Sequence, residues 1–488
     1  MITDEQFQAW LQSPTARRTV LFDIGVRVAG AETVRHVSTR PYTVADGSVA
    51  YEAIVSDGAP FTEQLAVQNG NASMSFGDIE LDNTNGARDA WPFDVWRNRS
   101  VRARVGDVAW PIEDFRDVLI GMVDDIAPKG RDKLALKLRD VMQRLNSPVS
   151  EEVLGGTTPN ANVLVPIALG EVHNITPLLA DPATLTFQAH LGASERNIEV
   201  RANGLPVDVT TNLANSTFSL AVANASAVIT ASWQGDSTGG YTNTVAGVVK
   251  RLATRYGKAS TRFTDADIDL ANFAAFEAAH TAPVGLYMKD RINVVTAVQQ
   301  VAASLGAQAV PSRLGKLRLL RVELPPVGAP RDVYPQNMVE KTLAPVARTD
   351  VVAAVKLGYD KNWTVQDNLQ TALPPEHIAL FAQEWITTTK TDSTVQDSYR
   401  LDTEPVQTDT LLKTTEDAEA EAARQLALWS VPHTIYEFEG FAEMLTLELG
   451  QAIRVHHPRY GMADGVLGQV VALSPSWQTA RTKVRFIV

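Results

Sequence analysis

Residues 76–91 read FGDIELDNTNGARDAW. Ile79 and Leu81 alternate with Asp78, Glu80 and Asp82, the period of two that gives a strand one apolar and one charged face. Asn85-Gly86 follows, a dipeptide that tolerates positive φ at both positions of a tight turn. An aromatic cluster of Trp91, Phe93 and Trp96 comes next. Beyond it Val101, Ala103 and Val105 are interleaved with Arg102 and Arg104. An acidic strand, a turn and a basic strand in this order predict antiparallel β structure.

The neighbouring sequence extends the pattern. Upstream, Val20, Phe22, Ile24, Val26 and Val28 alternate with Thr19, Leu21, Asp23, Gly25 and Arg27. Downstream, Val118, Ile120 and Met122 continue it, and Leu134, Leu136 and Leu138 alternate with Lys133, Lys137 and Arg139. A short helix should precede these strands, because Thr3 and Gln6 have capping-box spacing and Phe7, Trp10 and Leu11 share a helical face. Residues 1–165 are therefore read as an N-terminal helix and a first β-domain.

Further boundaries follow from turn-rich stretches. GGTTPNAN at 155–162 leads into VPIALGEVHNITPLLAD, and residues 166–243 read as an inserted β-domain whose clearest hairpin turns at Asn203-Gly204. From 244 the period changes: Val245, Val248, Val249, Leu252 and Tyr256 share a helical face and Gly257 stops it. Further helices are predicted over 267–280 and from Asn293 to Gly306, with a strand at Leu317–Val322, making 244–330 an α+β domain. Residues 331–440 read as a second large β-domain, in which 386–415 forms a long hairpin and Thr414 caps a helix near 415–430 that Pro432 ends. Residues 441–488 read as a C-terminal β module. The fold class is mainly β and multi-domain, with an α+β middle.

Bulk properties agree. A chain of 488 residues exceeds one core, and roughly 150 residues per domain suggests about three or four domains. With 44 basic and 56 acidic residues the net charge is −12, the wrong sign for general phosphate binding. The absence of cysteine excludes disulfides, thiolate nucleophiles and Cys-type zinc or iron–sulfur sites. The first residues carry acids where an export signal would carry bases, and no window is apolar enough to span a bilayer, so neither export nor membrane insertion is expected.

Candidate chemistry is sparse. Asp78, Glu80, Asp82 and Asp89 are acidic enough for a metal site or a glycosidase pair, but alternating acids on a strand read first as its solvated face. His456 and His457 are adjacent and so point to opposite faces of a strand, while His36, His173, His190, His280, His377 and His433 stand alone. No GxSxG, GxxxxGK[ST] or strand-borne GxGxxG is present. The nine tryptophans are scattered, which reads as core or interface and not as a sugar-binding platform. Neither catalytic residue nor cofactor nor metal is expected. Arg97, Arg99, Arg102 and Arg104 stand out as a basic strand face. Paired with the Asp78, Glu80 and Asp82 strand of a neighbouring copy, they make a candidate assembly interface.

FGDIELDNTNGARDAW followed by RNRSVRARVGD, then VPIALGEVHNITPLLAD, IEVRANGLPVDVTTNL with TASWQGDSTGGYTNTVAGVVKRL, and LELGQAIRVHHPRYGMADGVLGQVVALS occur in this order. Together they resemble the baseplate hub (tail hub) proteins of tailed bacteriophages with long non-contractile tails. The resemblance implies two tail-tube-like β-barrel domains per chain, at 1–165 and 331–440. It implies a structural, non-enzymatic homotrimer whose pseudo-sixfold ring joins the tail tube or distal tail protein to a threefold central fibre or tip protein. The tape measure protein is a further implied contact, and phage DNA would pass through the lumen without specific binding during ejection. The implied location is the virion tail tip, after assembly in the bacterial host cytoplasm. Without cysteines the chain lacks the iron–sulfur variant of such tips, and the stretch after 440 is too short for a fused peptidoglycan hydrolase. The alternative readings are a glycan-binding adhesin or glycoside hydrolase of the tail tip, and a hexameric distal-tail adaptor.

Overall fold

Alternation of apolar and polar residues becomes strand pairing over most of the chain. The computed structural model describes residues 2–58, 61–68, 72–221, 227–367, 369, 372–401 and 404–488. Strands hold 40% of the residues against 19% in helices, so the mainly β expectation holds. The chain divides into two units: Met1–Gln143 with Val310–Asp350 and Pro432–Val488, and Arg144–Ala309 with Val351–Val431.

The first unit contains two large sheets. One has nine strands in the order Tyr42–Thr43, Ala50–Ala53, Ala31–Ser38, Arg18–Val28, Ser100–Asp107, Arg116–Pro128, Lys133–Arg139, Ile79–Asp82 and Val55–Gly58. Its pairings are antiparallel except that of Ala31–Ser38 with Ala50–Ala53. Val20, Phe22, Ile24 and Val26 enter one core with Val101, Ala103, Val105, Ile79 and Leu81, as their alternation requires. Helix Asp4–Gln12 covers this core through Phe7 and Leu11, and the Thr3–Gln6 capping box that starts it is formed in both directions.

The second sheet has eight strands. Arg331–Val333, Ala452–Val455, Val466–Ser476, Arg481–Ile487, Thr434–Gly440 and Ala344–Arg348 pair in that order. Phe61–Gln64, itself paired with Ser73–Phe76, adds to Val466–Ser476. This sheet has its own core, centred on Phe438, Ile453, Val455, Val470, Val484 and Phe486.

The β-barrels that the family resemblance implies are not formed as closed structures: among the described residues each sheet runs from edge to edge. Closure requires the first and last strands to pair with compatible tilt and stagger. In the larger sheet those edges are Tyr42–Thr43 and Val55–Gly58, too short to supply a seam.

In the second unit, Leu205–Pro206, Ser194–Ala202, Ile229–Asp236, Ile167–Ile175 and Gly285–Met288 form a five-stranded sheet. Asn203 and Gly204 both have positive φ between the paired residues Ala202 and Leu205, so the expected two-residue turn is present. Leu178–Asp181, Thr186–Gln188, Thr217–Leu220 and Val209–Asn212 form a four-stranded sheet beside it in the chain. Helices Val245–Arg255, Leu270–Ala279 and Val294–Ala303 lie where the 3.6-residue period places them.

The 386–415 stretch is not the expected hairpin. Ile386–Thr391 pairs antiparallel with Ala354–Tyr359, whose other edge takes Gln407–Asp409 in parallel. The side chain of Asp392 accepts from the Val395 amide and starts helix Ser393–Tyr399, which turns the chain out of the strand.

Candidate functional site

Each unit holds a group of charged residues tied together by short contacts. The first includes the arginines singled out from the sequence. On strand Ser100–Asp107, Val101, Ala103 and Val105 fill the core, which leaves Arg102 and Arg104 on the opposite face. Arg102 grips Asp117 with two parallel hydrogen bonds of 2.6 and 2.9 Å. Arg104 donates to Asp23 at 2.5 Å and to the Tyr51 hydroxyl at 2.7 Å. Asp23 also accepts from Tyr51 at 2.7 Å and meets His36 Nδ1 at 2.8 Å. Burial alone would raise the Asp23 pKa, but Tyr51, His36 and Arg104 outweigh it and hold the carboxyl below its ordinary value.

Arg99 crosses the neighbouring strand to reach Glu32 at 2.9 Å. Gly25 permits that crossing, since a Cβ there would lie 3.1 Å from the Arg99 Cβ. Arg97 meets Asp124 at 3.4 Å, and Asp124 is shared with Arg139 at 3.3 Å.

The acidic trio lies elsewhere on the same sheet. Ile79 and Leu81 are buried, while Glu80 faces Lys129 and, at 2.7 Å, Lys133. Hydrogen bonds from Lys129 and then Lys133 draw the Glu80 pKa down to about 2. Asp82 accepts from the hydroxyl and amide of Thr84, and Asp78 is half-buried just before the strand. Strands Arg116–Pro128 and Lys133–Arg139 separate the acids from the arginines. Within one chain the two groups do not meet: the arginines pair with Asp23, Glu32, Asp117 and Asp124, and Glu80 pairs with Lys129 and Lys133.

The second group was not legible as a motif. Glu171 and His173, two apart on strand Ile167–Ile175, share a face. His173 Nε2 lies 3.0 Å from Glu171 Oε1, and its Nδ1 lies 2.9 Å from Asp360 Oδ1. Asp360 directly follows strand Ala354–Tyr359 in a left-handed conformation, and it is ion-paired with Lys413. Lys413, whose side chain is 6% exposed, directly precedes Thr414, the cap of helix Thr415–Trp429. Gln234 closes the group by donating to the second Glu171 oxygen at 2.8 Å.

Backbone contacts place these side chains. The Asp360 amide donates to the Leu412 carbonyl at 2.8 Å, the Lys413 amide to Pro283 at 3.1 Å, and Gly285 to Leu411 at 3.0 Å. Gly285 is required here, because a Cβ would fall 1.7 Å from the Glu171 carbonyl oxygen and 3.3 Å from Lys413 Cδ.

Burial lowers the Lys413 pKa against the pull of Asp360. Burial also disfavours the His173 cation, yet the bonds to Asp360 and Glu171 prevail and raise its pKa. The His173 bond brings Glu171 to about 2. The four ionic groups come from three stretches of chain far apart, and a solitary histidine in the sequence carries no sign of the other two.

Other candidates resolve into packing. His456 stacks on Tyr334 and bonds to Asp332 at 3.1 Å, while His457 accepts from the Arg459 amide. Trp10 packs with Trp110, Trp91 with Trp96, and Trp363 and Trp385 flank the Lys361 ammonium at 4.5 and 4.8 Å. Among the described residues no group of three or more His, Asp or Glu is arranged to hold a metal ion, and no helix is long and apolar enough to cross a membrane.

No protein-family model matches the sequence, and no curated protein matches it. Solved structures similar to this chain include the tail protein from Neisseria meningitidis MC58, at 11% identity over 96% of both chains with a TM-score of 0.42. Another is the 43 kDa tail protein of prophage MuSo2 from Shewanella oneidensis, at 12% identity over 96% of this chain and 98% of that one, TM-score 0.41. A chain of the virion of the native gene transfer agent particle matches at 12% identity over 71% of this chain and 91% of its own length, TM-score 0.45. At these scores the likeness is loose and says nothing of role.

Proposed function

We propose that the chain is a structural, non-enzymatic baseplate hub of a phage-type tail. Three copies would form a closed ring by head-to-tail contacts, each bringing two large sheets, so that a threefold assembly presents six similar bodies to a sixfold tail tube. The observation that carries this reading is the pair of sheets in the first unit, nine-stranded and eight-stranded, with separate cores centred on Phe22 and Phe486. The ordered motifs from FGDIELDNTNGARDAW to LELGQAIRVHHPRYGMADGVLGQVVALS add to it.

Such a ring would meet the tail tube or distal tail protein on one side and a central fibre or tip protein on the other. The tape measure protein is a further contact, and DNA would pass through the lumen unread. Its place would be the tail tip, reached by assembly in the host cytoplasm. A net charge of −12 suits a conduit for DNA if the acidic excess lines the bore, since like charges do not hold the phosphate backbone.

Arg97, Arg99, Arg102 and Arg104 against Asp78, Glu80 and Asp82 of the next copy are the proposed contact. Mass photometry of the purified full chain, followed by cryo-EM, tests the reading. Particles of three 53.0 kDa chains with an open bore are expected. Six chains would favour a distal-tail adaptor, and turnover of host polysaccharide by a monomer would favour a hydrolase; either result overturns the hub.

A further inference from the structure

We propose that Glu171, His173, Asp360 and Lys413 form a protonation-controlled clasp that pins residues 360–364 and 410–413 to strand Ile167–Ile175. The geometry of His173 is the starting point. Each ring nitrogen lies within hydrogen-bond distance of a carboxylate oxygen, at 3.0 and 2.9 Å. A neutral imidazole has one N–H and one lone pair, so one of these contacts would set a lone pair against an anion. Only the imidazolium donates to both carboxylates. With it the group holds two positive and two negative charges.

Loss of the His173 proton breaks that balance. Two carboxylates then face one ammonium, and Lys413 is too buried for water to screen the difference. The contacts that depend on the clasp are local. Asn362 bridges His173, the Trp363 amide donates to the His173 carbonyl at 3.3 Å, and Thr364 bonds Thr176 at 2.7 Å. The Tyr287 hydroxyl donates to the Thr176 carbonyl, and its ring packs on Trp363.

Groups facing the site from the surrounding elements do not substitute for the lost charge. Gln234 is neutral, Lys361 is engaged by Glu384, and Tyr241 adds only a neutral hydroxyl whose ionisation Glu171 opposes.

The sign is fixed by the direction of the shift. The folded-state His173 pKa is raised, with burial opposing and the Asp360 and Glu171 bonds prevailing. The clasp therefore contributes fully below the unfolded imidazole value of about 6.5 and is lost as pH rises through the folded value. The device is closed below the ordinary imidazole value and loosens as pH rises past the raised one.

The test uses the full chain, labelled with nitrogen-15 histidine, and His173→Gln to assign its signal among the eight histidines. At pH 6.5 both His173 ring nitrogens should carry protons, with a titration midpoint above the ordinary imidazole value of about 6.5. Hydrogen exchange of peptides covering 356–364 and 408–414, corrected for intrinsic rates, should accelerate as pH rises. The gain should be roughly tenfold for each unit by which the midpoint exceeds the ordinary value. Glu171→Gln, which keeps the shape of the site, should lower the midpoint. A single protonated nitrogen at pH 6.5, or exchange of these peptides that stays flat as pH rises above 6.5, overturns the proposal; the second readout needs only the wild-type chain should a variant fail to fold.

Discussion

Replacing Arg313 by Met probes the joint that holds Phe61–Gln64 to the second sheet of the first unit. That strand pairs with Val466–Ser476 through Gln64 and Glu63, opposite Ala472 and Leu473, and the Leu65 amide donates to the Val471 carbonyl at 2.9 Å. Glu63 is 5% exposed in its side chain and Arg313 12%, with Nε 3.0 Å from the carboxylate. Arg313 also donates to the carbonyls of Leu445, at 2.9 Å, and Leu447.

Removing one partner of a buried ion pair costs about 3–5 kcal/mol, because the other charge is left without compensation. Burial already pushes the Glu63 pKa up, and Arg313 is the main force pulling it down. Without the guanidinium the carboxyl takes a proton more readily, so the penalty should shrink at pH 5 and grow at pH 8.

A chain of several bodies has no single unfolding free energy, so native-state hydrogen exchange of peptides covering 61–68 and 72–76 is the appropriate assay. Arg313→Met should speed it by roughly two to four decades at pH 8, at about 1.4 kcal/mol per decade. Adding Glu63→Leu should recover most of that loss, leaving the orphaned Leu445 and Leu447 carbonyls at about 1–3 kcal/mol. Exchange within tenfold of wild type in the single variant, or a double variant as fast as the single, would refute the argument.

Arg102→Glu tests the proposed contact between copies more cleanly than a change at Arg104, whose bonds to Asp23 and Tyr51 support the fold. It should lower the trimeric fraction in light scattering while circular dichroism stays unchanged; intact assembly would remove that strand from the interface. Gly285→Ala should destabilise the second unit by more than about 3 kcal/mol, since its Cβ collides with backbone. Thermal scans that find a shift of under a degree would show that the close approach of Gly285 to Glu171 is relaxed in solution.

How far the fold was readable depends on the range of the interactions involved. The Arg18–Val28 strand, the Thr3 capping box, the Asn203-Gly204 turn and helix Val245–Arg255 were all legible, because each is decided by residues within a few positions. The fate of 386–415 was not. Its Thr-rich alternation is strand-like at both ends, but Asp392 caps a helix, and the partner common to both ends is Ala354–Tyr359. Likewise nothing near Phe61–Gln64 announces that it pairs with residues four hundred positions later. The candidate site divides in the same way. The alternating arginines were visible, whereas the carboxylates they bind, from Asp23 to Asp124, were not assignable until the strand order was known.

That strand order changes what a contact between copies can draw on. Every arginine of the proposed interface already has an acidic partner on its own sheet: Arg97 with Asp124, Arg99 with Glu32, Arg102 with Asp117 and Arg104 with Asp23. Glu80 likewise has Lys129 and Lys133. Docking that acidic strand on the arginines of another copy would give up one ion pair within each chain for every pair it forms between them, so their number would not rise. Exposed pairs such as Arg97–Asp124 and Arg102–Asp117 contribute about 0–1 kcal/mol each, and breaking the better-buried Arg104–Asp23 pair would cost more, so the exchange cannot supply a stable ring. Charges in such a contact set register and orientation, while affinity comes from buried apolar anchors. On this sheet Val34 and Val95, placed opposite Gly25 and Arg27 and thus on the face of Asp23, are 45% and 50% exposed. Phe93, two residues before Val95, is 88% exposed. If the arginine face joins copies, its strength must reside in that apolar corner, and loss of Phe93 should weaken the ring more than loss of any one arginine.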